Sequence, residues 1–273
     1  METKKLERII IIILALLNVF LLIVVLGDGA QARAARRETE TTLTALLSDS
    51  GIEVGPGAEL LQDCPARCTV ERDLALERRR MEGFLGGGLG AEDLGGSIWF
   101  YTSDRGQVIM RGTGEMDMLM TGAGGRLGGR TREKAAETLF SRAGVEMFET
   151  GAAADNGSLL FCCGWNGYPV YNAIMSFDFS GDRLNIVTGT MVFNVETGSE
   201  PDVGMDSVSV LVRFIDLAKN EGLICSRLDA LEPGYYVNVN MSGESTLTPV
   251  WRIVTDTGDY YVNAVSGRME SAF

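Results

Sequence analysis

The feature that most constrains this chain is the run from Ile9 to Leu26, eighteen residues that are all apolar except Asn18. As a helix rising about 1.5 Å per residue it would extend roughly 27 Å, close to the ~30 Å hydrocarbon thickness of a bilayer. Backbone in lipid must satisfy its own hydrogen bonds, so one transmembrane helix over 9–26 is the expectation. Lys4, Lys5 and Arg8 precede the run and Arg33, Arg36 and Arg37 follow it, so the basic count alone does not orient it. Arg8 abuts the run, whereas Asp28 is the first charge beyond it. That asymmetry makes residues 1–8 a cytoplasmic tail and puts the remainder outside the cell, in a single-pass arrangement at the cell membrane. Ala30-Gln31-Ala32 has the small residues of a signal-peptidase site. An eighteen-residue run exceeds the ~7–15 of a cleaved signal, which favours a retained anchor, with cleavage after Ala32 as the alternative.

Beyond residue 26 the chain has 21 Lys+Arg against 35 Asp+Glu, a net charge of −14. That balance argues against nucleic-acid partners and gives no attraction to an anionic membrane surface. The chain has no histidine, which removes the commonest general base and the commonest zinc ligand. Cys64, Cys68, Cys162, Cys163 and Cys225 follow no metal spacing; Cys64 and Cys68 suit one small disulfide or incidental thiols. No cofactor and no metal are expected.

Residues 27–50 read as a stalk and first helix, with Leu43, Leu46 and Leu47 at helical spacing before Ser48-Asp49-Ser50-Gly51. Residues 51–130 form a first α+β unit. In it, a helix over 71–85 carries Leu74, Met81 and Leu85 on one side and a solvated Arg78, Arg79 and Arg80 on the other. Strands follow at 98–102, 108–112 and 115–120. The glycine-rich stretches 83–96 and 122–129 lack phosphate-loop chemistry and read as hairpin and connector loops. Residues 131–273 hold two further units. Thr131 caps one helix, with Ala135, Ala136, Leu139, Phe140 and Ala143 apolar. Asp206 caps the next, with Val208, Leu211, Val212, Ile215 and Ala218 on one face. Each is followed by strands, near 159–163, 170–179 and 184–195, and near 235–240, 250–255 and 260–265. The expected fold class is α+β: one N-terminal transmembrane helix, then an ectodomain of repeated helix plus antiparallel three-strand units.

Candidate chemistry is sparse. Asp178, Asp182, Asp256 and Asp259 are the acids an enzyme would have to recruit. Two of them flank turns, where aspartate serves the backbone, and Asp178 alternates with Phe177 and Phe179 along a strand. No catalytic set is assigned, and the chain is expected not to be an enzyme. Tyr235, Tyr236, Trp251, Tyr260 and Tyr261 suit either a binding surface along a sheet edge or cross-strand core pairs, the latter being the commoner use. Asn18 sits among Leu14, Leu17, Leu21 and Leu22. An amide inside an apolar helix favours an interhelical hydrogen bond worth roughly 0.6–2 kcal/mol, which makes Leu14, Asn18, Leu21 and Leu22 a candidate partner-helix contact; a lone tolerated polar residue is the plain alternative.

The segments KKLERIIIIILALLNVFLLIVVL, LLSDSGIEV, TVERDLALERRRMEGFLG, GYPVYNAIMSFDF, LEPGYYVNV and LTPVWRIVTDTGDYYVNAVSGRME together resemble the YycI/YycH type of membrane-anchored regulators, closest to the YycI branch. The last segment also looks like a PepSY-type hairpin. The resemblance implies a non-catalytic regulator of a WalK-type sensor histidine kinase of a Gram-positive two-component system. It further implies that the regulator's transmembrane helix packs beside the kinase and a sister YycH-type regulator. The glycine-rich loops and the cysteines depart from that pattern. A second reading is an exported PepSY-like binding module for a peptidase, a peptide or a cell-wall component.

Overall fold

A computed structural model describes residues 34–122, 124–150, 157–192, 194–201, 204–239 and 244–271. Helix α1 occupies 34–49, and only Leu43 and Leu47 along it are buried. Helix α2 (Leu74–Leu85) starts where Asp73 accepts hydrogen bonds from the amides of Ala75 (2.7 Å) and Leu76 (3.0 Å). Helix α3 (Arg132–Arg142) is capped by Thr131 and α4 (Ser207–Glu221) by Asp206. Gly222, left-handed at φ 69°, ends α4. The buried stripe of α4 is Val210, Leu211, Phe214, Ile215 and Ala218, while Val212, expected inside, is 46% exposed. On α2 the arginine run divides: Arg78 and Arg79 are exposed, and Arg80 reaches inward to donate to the Val192 carbonyl.

The strands are β1 (Glu53–Val54), β2 (Arg67–Arg72), β3 (Gly90–Gly95), β4 (Ile98–Ser103), β5 (Gly106–Met110), β6 (Glu115–Met120), β7 (Met147–Glu149), β8 (Leu159–Trp165), β9 (Tyr168–Ser180), β10 (Arg183–Thr190), β11 (Asn194–Glu200), β12 (Arg227–Val239), β13 (Ser245–Thr255), β14 (Gly258–Asn263) and β15 (Met269–Glu270). One half of the sheet is antiparallel in the order β7-β8-β9-β10-β6-β5-β4-β3. The other half is built on the β12–β13 hairpin. There β2 and β14 flank β13, with β11 beyond β2 and β15 beyond β14. The long strand β9 belongs to both halves, because after pairing with β8 and β10 it also meets β12 in parallel at Val170 and Tyr235.

Each half carries two helices. Met81, Phe84 and Phe140 of α2 and α3 pack on Val108, Met118, Met175 and Phe177, and the rings of Phe84, Phe140 and Phe177 form a chain with centroids 4.9 and 5.2 Å apart. Leu43, Leu47, Leu211 and Phe214 of α1 and α4 pack on Leu228, Leu231, Trp251 and Ile253. Strand β6 shows the one-sided burial that results: Met116, Met118 and Met120 are buried, Glu115, Asp117 and Leu119 exposed. A third, smaller cluster joins Tyr171, Tyr236, Val250 and Tyr261.

Two expectations are corrected. The molecule is mostly sheet: among the described residues four helices accompany fifteen strands joined in one sheet, and α2, α3 and α4 are followed by four, five and four strands rather than three. The extra strands are short or lie at edges, where hydrophobic alternation fades. All six residues of β3 are exposed, so this glycine-rich stretch reads as a loop in sequence yet pairs with β4. The sheet is also not purely antiparallel, since β1 and β9 both join β12 in parallel. As for the transmembrane helix, no helix among the described residues is long and apolar enough to cross a membrane. The run 9–26 lies outside those residues.

The two halves are tied through one buried carboxylate. Glu77 on α2 is 0% exposed and accepts from Arg72 Nε (2.7 Å) and Nη2 (2.9 Å) and from the Tyr101 hydroxyl (2.8 Å). Arg72 ends β2, Tyr101 lies on β4, and Arg72 also donates to the Ser97 carbonyl at 2.7 Å. Burial, with the Glu77 hydrogen bond and charge added, pushes the Tyr101 phenol well above its ordinary range. Removing one partner leaves the others buried and unpaired, so Glu77→Ala is expected to cost about 3–5 kcal/mol, read as a lower denaturation midpoint. A melt unchanged from wild type would show that the triad does not hold the halves together.

Candidate functional site

A concave site that several elements build together arises from a gap in the sheet. On the side of β12 away from β13, β1 pairs with Arg227 and Leu228 and β9 with Tyr235. Residues 229–234 between them have no strand neighbour on that side among the described residues. Side chains meet the carbonyls left over: Gln62 Nε2 donates to Leu231 O at 2.5 Å, and the Tyr171 hydroxyl lies 3.1 Å from Glu232 O and 3.4 Å from Pro233 O. Pro233 brings no amide to satisfy. The Tyr171 ring lies against Gly234, where an added Cβ would stand 2.5 Å from that ring and 2.6 Å from Pro169 O.

Over this gap runs a cleft in two lobes. One, about 360 Å³, is lined by Phe148, Glu149, Gly167, Pro169, Tyr171, Glu232 and Arg252. The other, about 600 Å³, is lined by Arg36 and Thr39 of α1, by Glu59, Leu61 and Asp63, and by Asp206, Ser207 and Val208 at the start of α4. Gln62, Tyr168 and Pro233 line both, so the lobes adjoin at these residues. Tyr168 stands edge-on to Tyr235, their centroids 6.1 Å apart.

The cations of the cleft are already committed. Arg252 donates to Asp259 Oδ2 at 2.9 and 2.6 Å and to Glu232 Oε2 at 2.9 Å. Burial would lower its pKa, but the Asp259 hydrogen bonds and the neighbouring carboxylates outweigh burial and raise it. Arg36 donates to Leu61 O at 2.5 Å and pairs with Glu59 at 3.4 Å. Asp206 is spent on the Ser209 amide as the cap of α4. Asp63 and Glu149 are exposed and have no side-chain partner among the described residues.

Of the residues singled out by sequence, Leu14, Asn18, Leu21 and Leu22 lie outside the described residues. The four aspartates are not assembled into one site. Asp178 takes a hydrogen bond from the Ser158 hydroxyl, and Asp259 holds Arg252. Asp256 accepts from the hydroxyl and amide of Ser226 and from the Arg227 amide, which hold its carboxyl below the usual range. Asp182 sits in the β9–β10 turn, its carbonyl accepting from the Leu127 amide. The aromatics divide between faces: Tyr235 and Trp251 are buried under the helices and Tyr260 packs on Phe214, while Tyr236 and Tyr261 join Tyr171 in the third cluster. Among the described residues no group of His, Cys, Asp and Glu is arranged to hold a metal ion. The cleft-forming Gln62, Phe148, Pro169 and Pro233 were not singled out. The only sequence signals near them are the prolines of Tyr168-Pro169-Val170 and Glu232-Pro233-Gly234.

All five cysteines are free thiols. Burial pushes Cys64 and Cys162 up to about 11 and Cys163 up to about 12. Thiolate is the reactive form, so at pH 8 iodoacetamide should leave Cys162 and Cys163 unlabelled in the folded chain and label both in denaturant. Rapid native labelling of Cys163 would contradict its placement in the core. Gly234→Ala must displace either Tyr171 or β9, and a loss of about 1–3 kcal/mol in a denaturant melt is expected, the scale of an overpacked core. An unperturbed midpoint would mean that the strands do not approach so closely.

No family model matches the chain, and no curated protein is similar to it in sequence. In structure it is similar to an uncharacterized protein from Eubacterium rectale, at TM-score 0.44 and 9% identity over 81% of this chain and 90% of that one. It is also similar to the Bacillus megaterium YpeB C-terminal domain, at TM-score 0.37 and 12% identity over 74% of this chain and 96% of that one. These are distant structural relations and say nothing of kinase regulation.

Proposed function

We propose that the protein is a non-catalytic regulatory module that works by contact, taking a segment of a partner protein into the cleft over the β12 gap. The observation that carries this is the construction of the cleft. It is lined from α1, the loop around Gln62, the β8–β9 turn and β12, and its strand-edge carbonyls are already capped by Gln62 and Tyr171. Side chains rather than backbone are thus left to recognise a ligand. The candidate acids are engaged in turns and ion pairs, which supports a role without catalysis.

The partner is a sensor histidine kinase, acting with a sister YycH-type regulator, and the site of action is the cell membrane with the described domain outside. This portion rests on the sequence resemblance and on the apolar stretch 9–26. Helix α1, anchored at Leu43 and Leu47 and exposed elsewhere apart from the half-buried Thr39, suits a connecting segment whose movement reaches the cleft through Arg36 and Thr39. The cleft equally favours a second reading, an exported PepSY-like module that holds a peptidase, a peptide or a cell-wall component.

A photo-cross-linking residue at position 168 of the full chain, expressed in its own cells, tests both. Capture of a sensor kinase supports regulation through the cleft; capture of a peptidase or wall fragment supports the second reading. Cross-linking from Ala45 on α1 but none from position 168 would remove the cleft from function.

A further inference from the structure

Away from the cleft, one group of arginines is arranged unlike the rest. Arg72, Arg111, Arg227 and Arg252 are each held by a carboxylate at 2.6–2.7 Å. Arg105 in the β4–β5 turn, Arg130 in the connector before α3 and Arg142 in the last turn of α3 have no carboxylate partner among the described residues, although the chain has a net charge of −13. The fold nonetheless brings them together. A Cβ at Gly83 of α2 would stand 2.5 Å from Ala143 Cα and 2.6 Å from Arg142 O, so the end of α3 is pressed onto α2. Gly86, which closes α2, and Gly124 in the connector both abut Arg105: a Cβ would stand 3.3 Å from its guanidinium carbon at the first and 2.9 Å from its Cβ at the second. The Thr121 amide donates to Arg105 O at 2.8 Å and ties the connector to the β4–β5 turn. Arg130 gives its Nε to Leu127 O at 2.9 Å and keeps both terminal amino groups open. Arg183, donating to Gly122 O at 2.6 Å, flanks the same connector.

Burial, with Arg105 and Arg130 adding to it, holds the Arg142 guanidinium below its ordinary pKa. Asp104 and Asp182, the acids of the two flanking turns, form no ion pair that would relieve this among the described residues. Like charges kept side by side destabilise the free protein, and a bound anion removes that cost. The forks arrive from a turn, a connector and a helix end. A planar carboxylate satisfies one such fork, whereas the oxygens of tetrahedral phosphate groups spread over several. We propose that Arg105, Arg130 and Arg142 form a binding site for a soluble anion that carries more than one phosphate group. Gly86 and Gly124 seat Arg105 for it, and Gly83 lets Arg142 approach. The inference is independent of the cleft and of what enters it.

The test is titration calorimetry on the full chain in non-ionic detergent at constant ionic strength, with inorganic pyrophosphate as probe and citrate, a carboxylate polyanion, for comparison. Pyrophosphate is expected to bind, and citrate to bind about tenfold more weakly or less. Arg105→Gln and Arg142→Gln should each weaken pyrophosphate about tenfold or more, the scale of a lost hydrogen bond to a charged group. The control Arg37→Gln with Arg268→Gln removes more charge than either, at exposed positions elsewhere, and should leave binding within about twofold. Equal loss in the control would reduce the effect to net charge and overturn the proposal, as would the absence of pyrophosphate binding. Citrate bound as tightly as pyrophosphate would overturn the phosphate preference. Pyrophosphate should also raise the melting temperature of the wild type and leave that of Arg142→Gln unmoved. A variant that melts lower by the same amount with and without the anion would make Arg142 a structural residue and overturn its role. Tyr168→Ser should not alter pyrophosphate binding; a loss there would put the anion in the cleft and overturn the arginine site.

Discussion

Glu77 has no access to water, and the rest of the fold is arranged so that its carboxylate oxygens still find donors there. An ionised carboxylate in an apolar interior is costly unless donors surround it. Two come from Arg72 at the end of β2 and one from Tyr101 on β4, and these strands lie in different halves of the sheet. Helix α2 therefore docks at the one position from which its acid reaches both. An apolar set of the same volume could match the triad in stability, since burying charge offsets much of the Coulombic gain. What the triad adds is position: any sliding of one half past the other leaves a charge unpaired.

A fixed relation between the halves is also what allows β9 to serve both. Opposite β8 it loses register: Cys162 faces Ile174 but Gly164 faces Pro169, so two steps on β8 are matched by five on β9. The surplus residues carry β9 across to β12, and Asn172 secures the crossing by exchanging hydrogen bonds with Val237, each at 2.8 Å. Because β9 reaches β12 only at Tyr235, the preceding β12 residues are left without a neighbour. The cleft is thus a by-product of the crossing, kept open by Tyr171 over Gly234.

This explains which parts of the molecule were legible in the sequence. Helices α3 and α4 announce themselves through Thr131 and Asp206 at their starts, because capping is local chemistry, whereas α2 starts at Leu74 rather than at the expected 71, since Glu71 and Arg72 belong to β2. The hairpins at Gly181 and Gly258 are legible for the same reason. The pairing of β2 with β11, and of β12 with β9, joins segments far apart in the chain, and no local pattern specifies it. A regular repeat of helix and three strands was therefore the wrong extrapolation from correct local elements. The aromatic alternation was visible at Tyr235 and Tyr236, but the face each takes depends on where α4 lies. The cleft was hidden for a further reason: Gln62, Phe148 and Pro233 come from three distant stretches and share only the gap they surround.

Strand β3 ends one side of the sheet with every residue exposed and Leu94 52% exposed. A bare edge of this kind is a template on which a second molecule can add its own strand. Here Glu92 and Asp93 stand on that edge, so two copies approaching edge to edge bring like charges together before any hydrogen bond forms. The strand thus carries its own safeguard against self-association, strongest in dilute electrolyte and fading as salt rises.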